Sequence, residues 1–293
     1  MATAGAAGGH PTGMFSTLRK DAWWWEPLWT GLGFLIFTIY ANYEVFKGDN
    51  YWFTGGAEGY GGYLSPFFSP LFFADPRVWP GAPTGEAFFG NAPSWWPTWF
   101  PSISAALVLP LPLSFRLTCY YYRKFYYRAY FMTPPACSVN PAPQPGRYEG
   151  ERMLLVFQNL HRYALYTAIV VLCFLAHDAF MSFFRGGQFG VGVGSLILTL
   201  NPILLGTYTF GCHAWRHLVG GKKDCFSCDA SNHAKGTTQS YGIWRRVSWL
   251  NERHMFFAWI SMIWVGWTGL YVRLVASGAI HDFSTWDFTG GGH

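Results

Sequence analysis

The segment VGSLILTLNPILLGTYTF, residues 193–210, contains no charged side chain. A helix of this length rises about 27 Å at 1.5 Å per residue, which is close to the thickness of the hydrocarbon core of a bilayer. Its polar positions are Ser, Thr, Tyr and the amide of Asn201. The segment is therefore typical of a membrane-spanning helix.

The composition of the whole chain also favours a membrane protein. Among 293 residues, hydrophobic types make up 51%, aromatic types 20% and charged types 12%, whereas soluble domains carry about a quarter charged residues. The mean hydropathy is only +0.13, so polar loops must separate the apolar segments. Low charge excludes a disordered chain, and six cysteines in such a protein do not indicate a disulfide framework.

Five apolar segments are long enough to cross a bilayer, and they predict an all-α membrane protein built as a five-helix bundle. They cover residues 28–43, 100–118, 154–184, 193–218 and 249–278. Pro110 and Pro112 predict a kink in the second segment, because proline lacks the N–H that a helix needs. The third and fifth segments exceed the required length, which predicts tilt or extension beyond the membrane.

Basic residues are distributed unevenly between the segments that connect these helices. Cytoplasmic loops carry the excess of Lys and Arg, so the more basic side predicts the cytoplasm. That side has fifteen basic residues: Arg19, Lys20, Arg116, Arg123, Lys124, Arg128, Arg147, Arg152, Arg216, Lys222, Lys223, Lys235, Arg245, Arg246 and Arg253. The other side has Lys47, Arg77, Arg185 and Arg273. We therefore expect a cytoplasmic N-terminus and an external C-terminus.

This topology divides the chain into three parts. They are an N-terminal cytoplasmic segment (1–26), a membrane anchor domain (27–284) and a C-terminal tail (285–293), with an outer loop at 44–99 and inner loops at 119–153 and 218–249. The outer loop is rich in Gly, Pro and aromatic residues, and we expect it to pack as a lid on the outer face. The spread of basic residues along membrane edges argues against nucleic-acid binding.

Cysteine and histidine residues recur at the cytoplasmic ends of four predicted helices. Cys119 ends the second segment, His161 lies about two turns into the third, Cys212 lies in the last turns of the fourth, and His254 lies in the opening turns of the fifth. Burying such side chains inside a membrane costs free energy, so their presence there indicates a functional role. Their common depth predicts a buried metal centre.

Two metal chemistries fit these residues. His161 and His254 could be the axial ligands of a b-type haem, or two Cys and two His could hold a Rieske-type [2Fe–2S] cluster. His213 and His217 share one helix face and are alternative ligands. Cys137 is a spare thiolate candidate, and Cys225-x-x-Cys228 resembles half of a zinc knuckle without a second half.

A quinone site needs an apolar slot and a few hydrogen-bond donors. We expect Tyr121, Trp215, Arg216 and His217 to provide them at the cytoplasmic membrane edge. Most aromatic residues that follow Cys119 are better explained as an interfacial belt. A transporter or channel would need polar residues at every membrane depth, which the first, fourth and fifth segments lack.

The chain resembles the single membrane-anchor subunit of the actinobacterial-type (type F) succinate dehydrogenase, which is a class of respiratory complex II. The similarity runs from about residue 23 to residue 284. The motifs that carry it are RLTCYYYRKFYYR (116–128), QNLHRY (158–163), GCHAWRHLVGG (211–221), LNERHM (250–255) and RLVASG (273–278).

The resemblance implies that a flavoprotein subunit oxidises succinate at FAD and that an iron–sulfur subunit passes electrons through three centres to this anchor. It implies a multi-pass protein of the cytoplasmic membrane, with no succinate chemistry of its own, that reduces quinone, expected to be menaquinone, through a Rieske-type [2Fe–2S] cluster in place of haem. Cys119, His161, Cys212 and His254 are the matching ligand positions that we favour. His213 and His217 also match the family pattern, whereas the Cys225/Cys228 pair departs from it. A haem b anchor and a metal-free structural anchor remain alternatives, as does a higher oligomer of the complex.

Overall fold

The computed structural model describes residues 13–55, 62–143, 158–220 and 238–288. These parts are mostly helical. The helices are α1 (Trp25–Lys47), α2 (Ile103–Val108), α3 (Pro110–Leu117), α4 (Tyr120–Ala129), α5 (His161–Met181), α6 (Val193–Phe210), α7 (His213–Gly220), α8 (Gln239–Glu252) and α9 (His254–Ala276). Two antiparallel pairs of short strands join β1 (Trp52–Phe53) to β2 (Tyr63–Leu64) and β3 (Phe184–Arg185) to β4 (Gln188–Phe189).

Three helices, α5, α6 and α9, are long and apolar enough to cross a membrane. A fourth span is obtained if residues 103–117 and α4, which are bent by 79° relative to each other, form one broken span. The helix α1 has 23 residues, but its Trp, Tyr, Gly and Asn residues lower its mean hydropathy. The described residues thus support a helical, multi-pass protein with three or four such helices. The predicted number of five is not confirmed.

Two of the predicted segments are divided in the structure, so their predicted bounds are wrong. Segment 193–218 breaks at Gly211 and Cys212, and segment 249–278 begins inside α8 and breaks at Arg253. At the first break, Asn251 Nδ2 donates a hydrogen bond of 2.8 Å to the carbonyl oxygen of Gly211. This contact between α6 and α8 satisfies a helix-end carbonyl group. Hydropathy does not show such a contact between two helices, although Gly211 and the more polar α7, with Arg216 and His217, were local signs of a break.

The prolines of the second segment interrupt its helix as predicted. The helix α2 ends at Val108, Leu109 separates the two pieces, and α3 starts at Pro110. Proline is tolerated at the first position of a helix, where its missing N–H has no partner in any case. The chain then turns sharply at Thr118 and Cys119 into α4.

The long connection between α1 and α2 packs against the bundle. Tyr51 stacks on Phe68 with ring centroids 4.2 Å apart, and both belong to a buried cluster with Val45 of α1 and Ala105 of α2. This arrangement encloses one end of the bundle with aromatic side chains.

A buried carboxylate joins four parts of this end. Asp282, which is 3% exposed, pairs with Arg185 at 2.7 Å and accepts hydrogen bonds from the hydroxyls of Tyr63 at 2.6 Å and Tyr271 at 2.7 Å. The backbone N–H of Gly194 also donates to it, at 2.9 Å. Asp282 therefore joins the long loop, the β3–β4 hairpin, the start of α6 and α9.

A second buried ion pair joins α1 to α9. Arg273 donates to Glu44 at 2.6 Å and to Asp49 at 2.7 Å. Arg185 and Arg273, two of the four basic residues expected on the outer side, are thus neutralised within the fold.

The substitution Asp282→Asn should lower the free energy of unfolding by about 3 kcal/mol, because it leaves Arg185 buried without a counter-charge. The thermal unfolding midpoint of the purified complex measures the effect. Asp21→Asn is the matched control: it removes an exposed partner of Arg19 and should leave the midpoint unchanged. Equal midpoints for the two variants would contradict the structural role of Asp282.

Candidate metal centre

Each of the four predicted ligands lies where a helix begins. Cys119 precedes α4 and Cys212 precedes α7; their carbonyl oxygens accept the first helical hydrogen bonds, from Arg123 at 2.9 Å and Arg216 at 3.0 Å. His161 and His254 are the first residues of α5 and α9. His161 therefore lies at a helix start and not two turns inside a span as the sequence suggested.

Both cysteines lie next to the N–H groups of a helix start. The Sγ atom of Cys212 accepts a hydrogen bond of 3.3 Å from the backbone N–H of Ala214. The thiols are buried, with their residues 2% and 1% exposed. Burial favours the neutral thiol, whereas the free N–H groups and dipole of a helix N-terminus favour the thiolate, which is the form that binds metal.

The hydrogen bonds of His161 define which of its nitrogen atoms is free. Its Nδ1 lies 2.8 Å from Thr118 Oγ1, and that hydroxyl already donates to the carbonyl oxygen of Ser114 at 2.7 Å. Thr118 Oγ1 therefore accepts from Nδ1–H, and Nε2 carries the lone pair. This Nε2 faces Cys212 Sγ at 2.8 Å, and the ring stacks on Phe115 at 4.7 Å.

His254 is arranged in a related way on the other side of the site. Its Nε2 lies 3.6 Å from Cys119 Sγ, and its ring stacks on Tyr208 at a centroid distance of 4.8 Å. His254 is 2% exposed, and its Nδ1 has no hydrogen-bond partner. A buried imidazole with an unsatisfied nitrogen has no structural explanation within the described chain.

The two Cys–His pairs belong to one layer. Phe115, which stacks on His161, and Tyr208, which stacks on His254, contact each other edge to face with ring centroids 5.4 Å apart. Both cysteines lie in the same buried cluster as Tyr208.

Among the described residues, no group of three or more Cys, His, Asp or Glu side chains has the spacing to hold one metal ion. A two-iron cluster makes a different demand, with two protein ligands on each iron. The donors here fit that cluster in number, type and burial. In a Rieske centre, however, the two thiolates share one iron, whereas here each thiol lies next to an imidazole.

The alternative ligands point elsewhere. His213 is exposed, and the exposed His217 is hydrogen-bonded through Nδ1 to Arg162 at 2.6 Å. Cys137 is exposed beside Arg128. Cys225 and Cys228 lie outside the described residues.

The predicted quinone residues occupy two places. Tyr121 and Trp215 pack against the cluster that contains the cysteines, and the ring of Tyr121 lies 5.4 Å from that of His254. Arg216 instead donates to Ser248 of α8 at 3.1 Å and covers the Trp244 ring. Tyr121 therefore lies beside the Cys–His layer, whereas Arg216 and His217 make other contacts.

Sequence reasoning missed two residues that contact this layer, Thr118 and Arg116. Arg116 was counted only among the basic residues of the cytoplasmic side, but it is 9% exposed and buried in the bundle. Its position inside a predicted span, one helical turn before Cys119, was the signal available, since ionisable residues in spans are generally functional.

Comparisons with known proteins identify the family. The family model of the actinobacterial succinate dehydrogenase subunit SdhC matches residues 25–278. A solved structure described as the Mycobacterium smegmatis Sdh1 complex in the apo form has a chain that is 40% identical, with a TM-score of 0.76; the match covers 93% of this chain and 98% of that one. A search of curated proteins found no match. The chain therefore belongs to the actinobacterial SdhC family and is a membrane-anchor subunit of succinate dehydrogenase.

Proposed function

We propose that this subunit transfers electrons from the iron–sulfur subunit of succinate dehydrogenase to quinone, expected to be menaquinone, through a Rieske-type [2Fe–2S] cluster. The observation that carries the proposal is the layer formed by two buried thiols, the buried imidazole of His254 and the half-buried imidazole of His161, all placed at helix starts. When bound, the cluster would supply a one-electron carrier. The flavoprotein subunit with its FAD completes the set of proposed partners.

The chain's own residues hold and isolate this site. Helix N–H groups favour the thiolate forms of Cys119 and Cys212. Thr118 orients His161 so that Nε2 is the free donor atom, which is how outer hydrogen bonds commonly set a ligating histidine. Phe115 and Tyr208 stack on the two imidazole rings and exclude water from them.

The arrangement favours the cluster over a haem. A haem would need the Nε2 atoms of His161 and His254 on opposite sides of one iron. Here each Nε2 faces a thiol instead, and a haem would leave both thiols without a role. A metal-free anchor would leave the same buried thiols without a role.

We also propose that α1 is a fifth span and that the N-terminus lies in the cytoplasm, in the cell's inner membrane. Its 23 residues would extend about 34 Å. An apolar stripe runs along its surface, with Leu28, Leu32, Leu35, Ile36 and Ile39 each between 43% and 65% exposed. Such a stripe suits contact with lipid. This topology puts the Cys–His layer on the cytoplasmic side, where the iron–sulfur subunit would dock.

For quinone, we propose a headgroup position near Tyr121 and Trp215, next to the Cys–His layer. Arg216 and His217 would contact the same quinone headgroup only if they gave up their present hydrogen bonds with Ser248 and Arg162. Exposed basic residues of the inner segments would face the iron–sulfur subunit, and complementary acidic charge there would favour docking.

Replacing a cluster ligand should remove iron from the complex without stopping succinate oxidation. In Cys119→Ala and His254→Ala complexes we expect about two fewer irons per complex, loss of a Rieske-type paramagnetic signal and loss of quinone reduction. Reduction of an artificial acceptor by succinate should persist, because the partner subunits perform that step.

Cys137→Ala is the matched control, since this exposed thiol should change neither iron content nor the signal. Full iron content and an unchanged signal in Cys119→Ala would contradict the proposed ligand set. An intense Soret band in the wild-type complex would favour the haem alternative.

The topology can be tested with a membrane-impermeant maleimide. The wild-type protein should be labelled in inverted vesicles only, because Cys137, Cys225 and Cys228 are all expected on the cytoplasmic side. The variant Ser277→Cys, at an exposed position after α9, should gain label in right-side-out vesicles. External labelling of the wild-type protein would reverse the proposed orientation.

A further inference from the structure

Arg116 is a buried cation without a buried anion beside it. It lies on α3 and is 9% exposed. No carboxylate among the described residues forms an ion pair with it, in contrast to Arg185 and Arg273, which both pair with carboxylates. A charge in this position is expensive unless an opposite charge compensates it.

The groups that contact Arg116 are all uncharged. One guanidinium nitrogen donates to the hydroxyl of Tyr122 at 2.5 Å and to the carbonyl oxygen of Ala258 at 3.1 Å; the other donates to Ser261 Oγ at 3.3 Å. These bonds satisfy donors but do not neutralise the charge.

The side of Arg116 away from the Cys–His layer offers no anion either. A cavity of about 330 Å³ between α1, α2, α3, α5 and α9 has Arg116 in its wall, and none of its other lining residues is acidic. The wall is mainly apolar, with Thr38, Asn42 and Ser69 as its other polar residues.

The Cys–His layer lies directly next to Arg116. The carbonyl oxygen of Arg116 accepts a hydrogen bond of 3.1 Å from the N–H of Cys119. Its guanidinium lies 4.9 Å from the centroid of the Tyr208 ring, which also stacks on His254.

We propose that Arg116 is the fixed counter-charge of the metal centre: it stabilises the thiolates and favours the reduced form of the bound cluster. This inference rests on the proposed function. With two ferric ions, two sulfides, two thiolates and two neutral imidazoles, the site carries no net charge. One electron, lost by the iron–sulfur subunit, converts one ferric ion to ferrous and adds one negative charge; no proton moves and no bond breaks. Because the effective dielectric constant around buried groups is low, a nearby cation interacts strongly with the charge of the cluster.

Redox titration of the purified complex, followed by the paramagnetic signal of the reduced cluster, tests this inference. In Arg116→Gln we expect the equilibrium constant for reduction to fall about tenfold or more, which corresponds to a midpoint about 59 mV lower for one electron. Arg116→Lys keeps the charge and should show less than a third of that shift. Arg123→Gln is the control: this cation lies over Tyr120 and is only half-buried, so solvent should screen it and its removal should leave the midpoint unchanged.

A second measurement, iron content, covers variants that fail to hold the cluster. Loss of the cluster in Arg116→Gln with retention in Arg116→Lys would support the inference, because the two differ in charge at one position. An unchanged midpoint in Arg116→Gln, an equal shift in Arg116→Lys, or loss of the cluster in both variants would each overturn it. Absence of the signal and of the additional iron from the wild-type complex would instead overturn the proposed function.

Discussion

Backbone N–H groups at the start of a helix have no partner within that helix, and four such starts meet at one depth in this protein. Each of them carries a cysteine or histidine, at Cys119, His161, Cys212 and His254. The breaks turn long apolar segments into pairs of helices and direct polar side chains inward. Unpaired N–H groups next to thiols can then hold negative charge in a place that water does not reach.

Buried charges are compensated differently at the two ends of the bundle. At one end, Arg185 and Arg273 form closed ion pairs with Asp282 and with Glu44, and these pairs join the loops to the helices. In the Cys–His layer, the cation of Arg116 meets only neutral groups. The first arrangement is complete within the chain and serves the fold. The second has no carboxylate partner among the described residues, and we propose that the thiolates or a bound group supply the opposite charge.

Most of the architecture could be predicted from the chain itself. Apolar length locates α5, α6 and α9, and prolines indicate the interruption before Pro110. The family followed from short motifs in the right order, and the match to residues 25–278 confirms it. The breaks at residues 211–212 and 253 were not predicted: Gly211 and the polar residues 251–253 lie at them, but such residues also occur at the cytoplasmic end of an unbroken span. They arise where one helix packs against another, as Asn251 does on Gly211.

The candidate site divides in the same way. Sequence determined which residue types lie near one membrane edge, since the periodicity and the ends of apolar segments depend only on local composition. The tertiary structure decided which of them face each other. It buried Cys119, Cys212 and His254, turned His213 and His217 to the surface, and brought Thr118 and Arg116 to the layer. These choices depend on contacts between residues far apart in the chain, and no local pattern contains them.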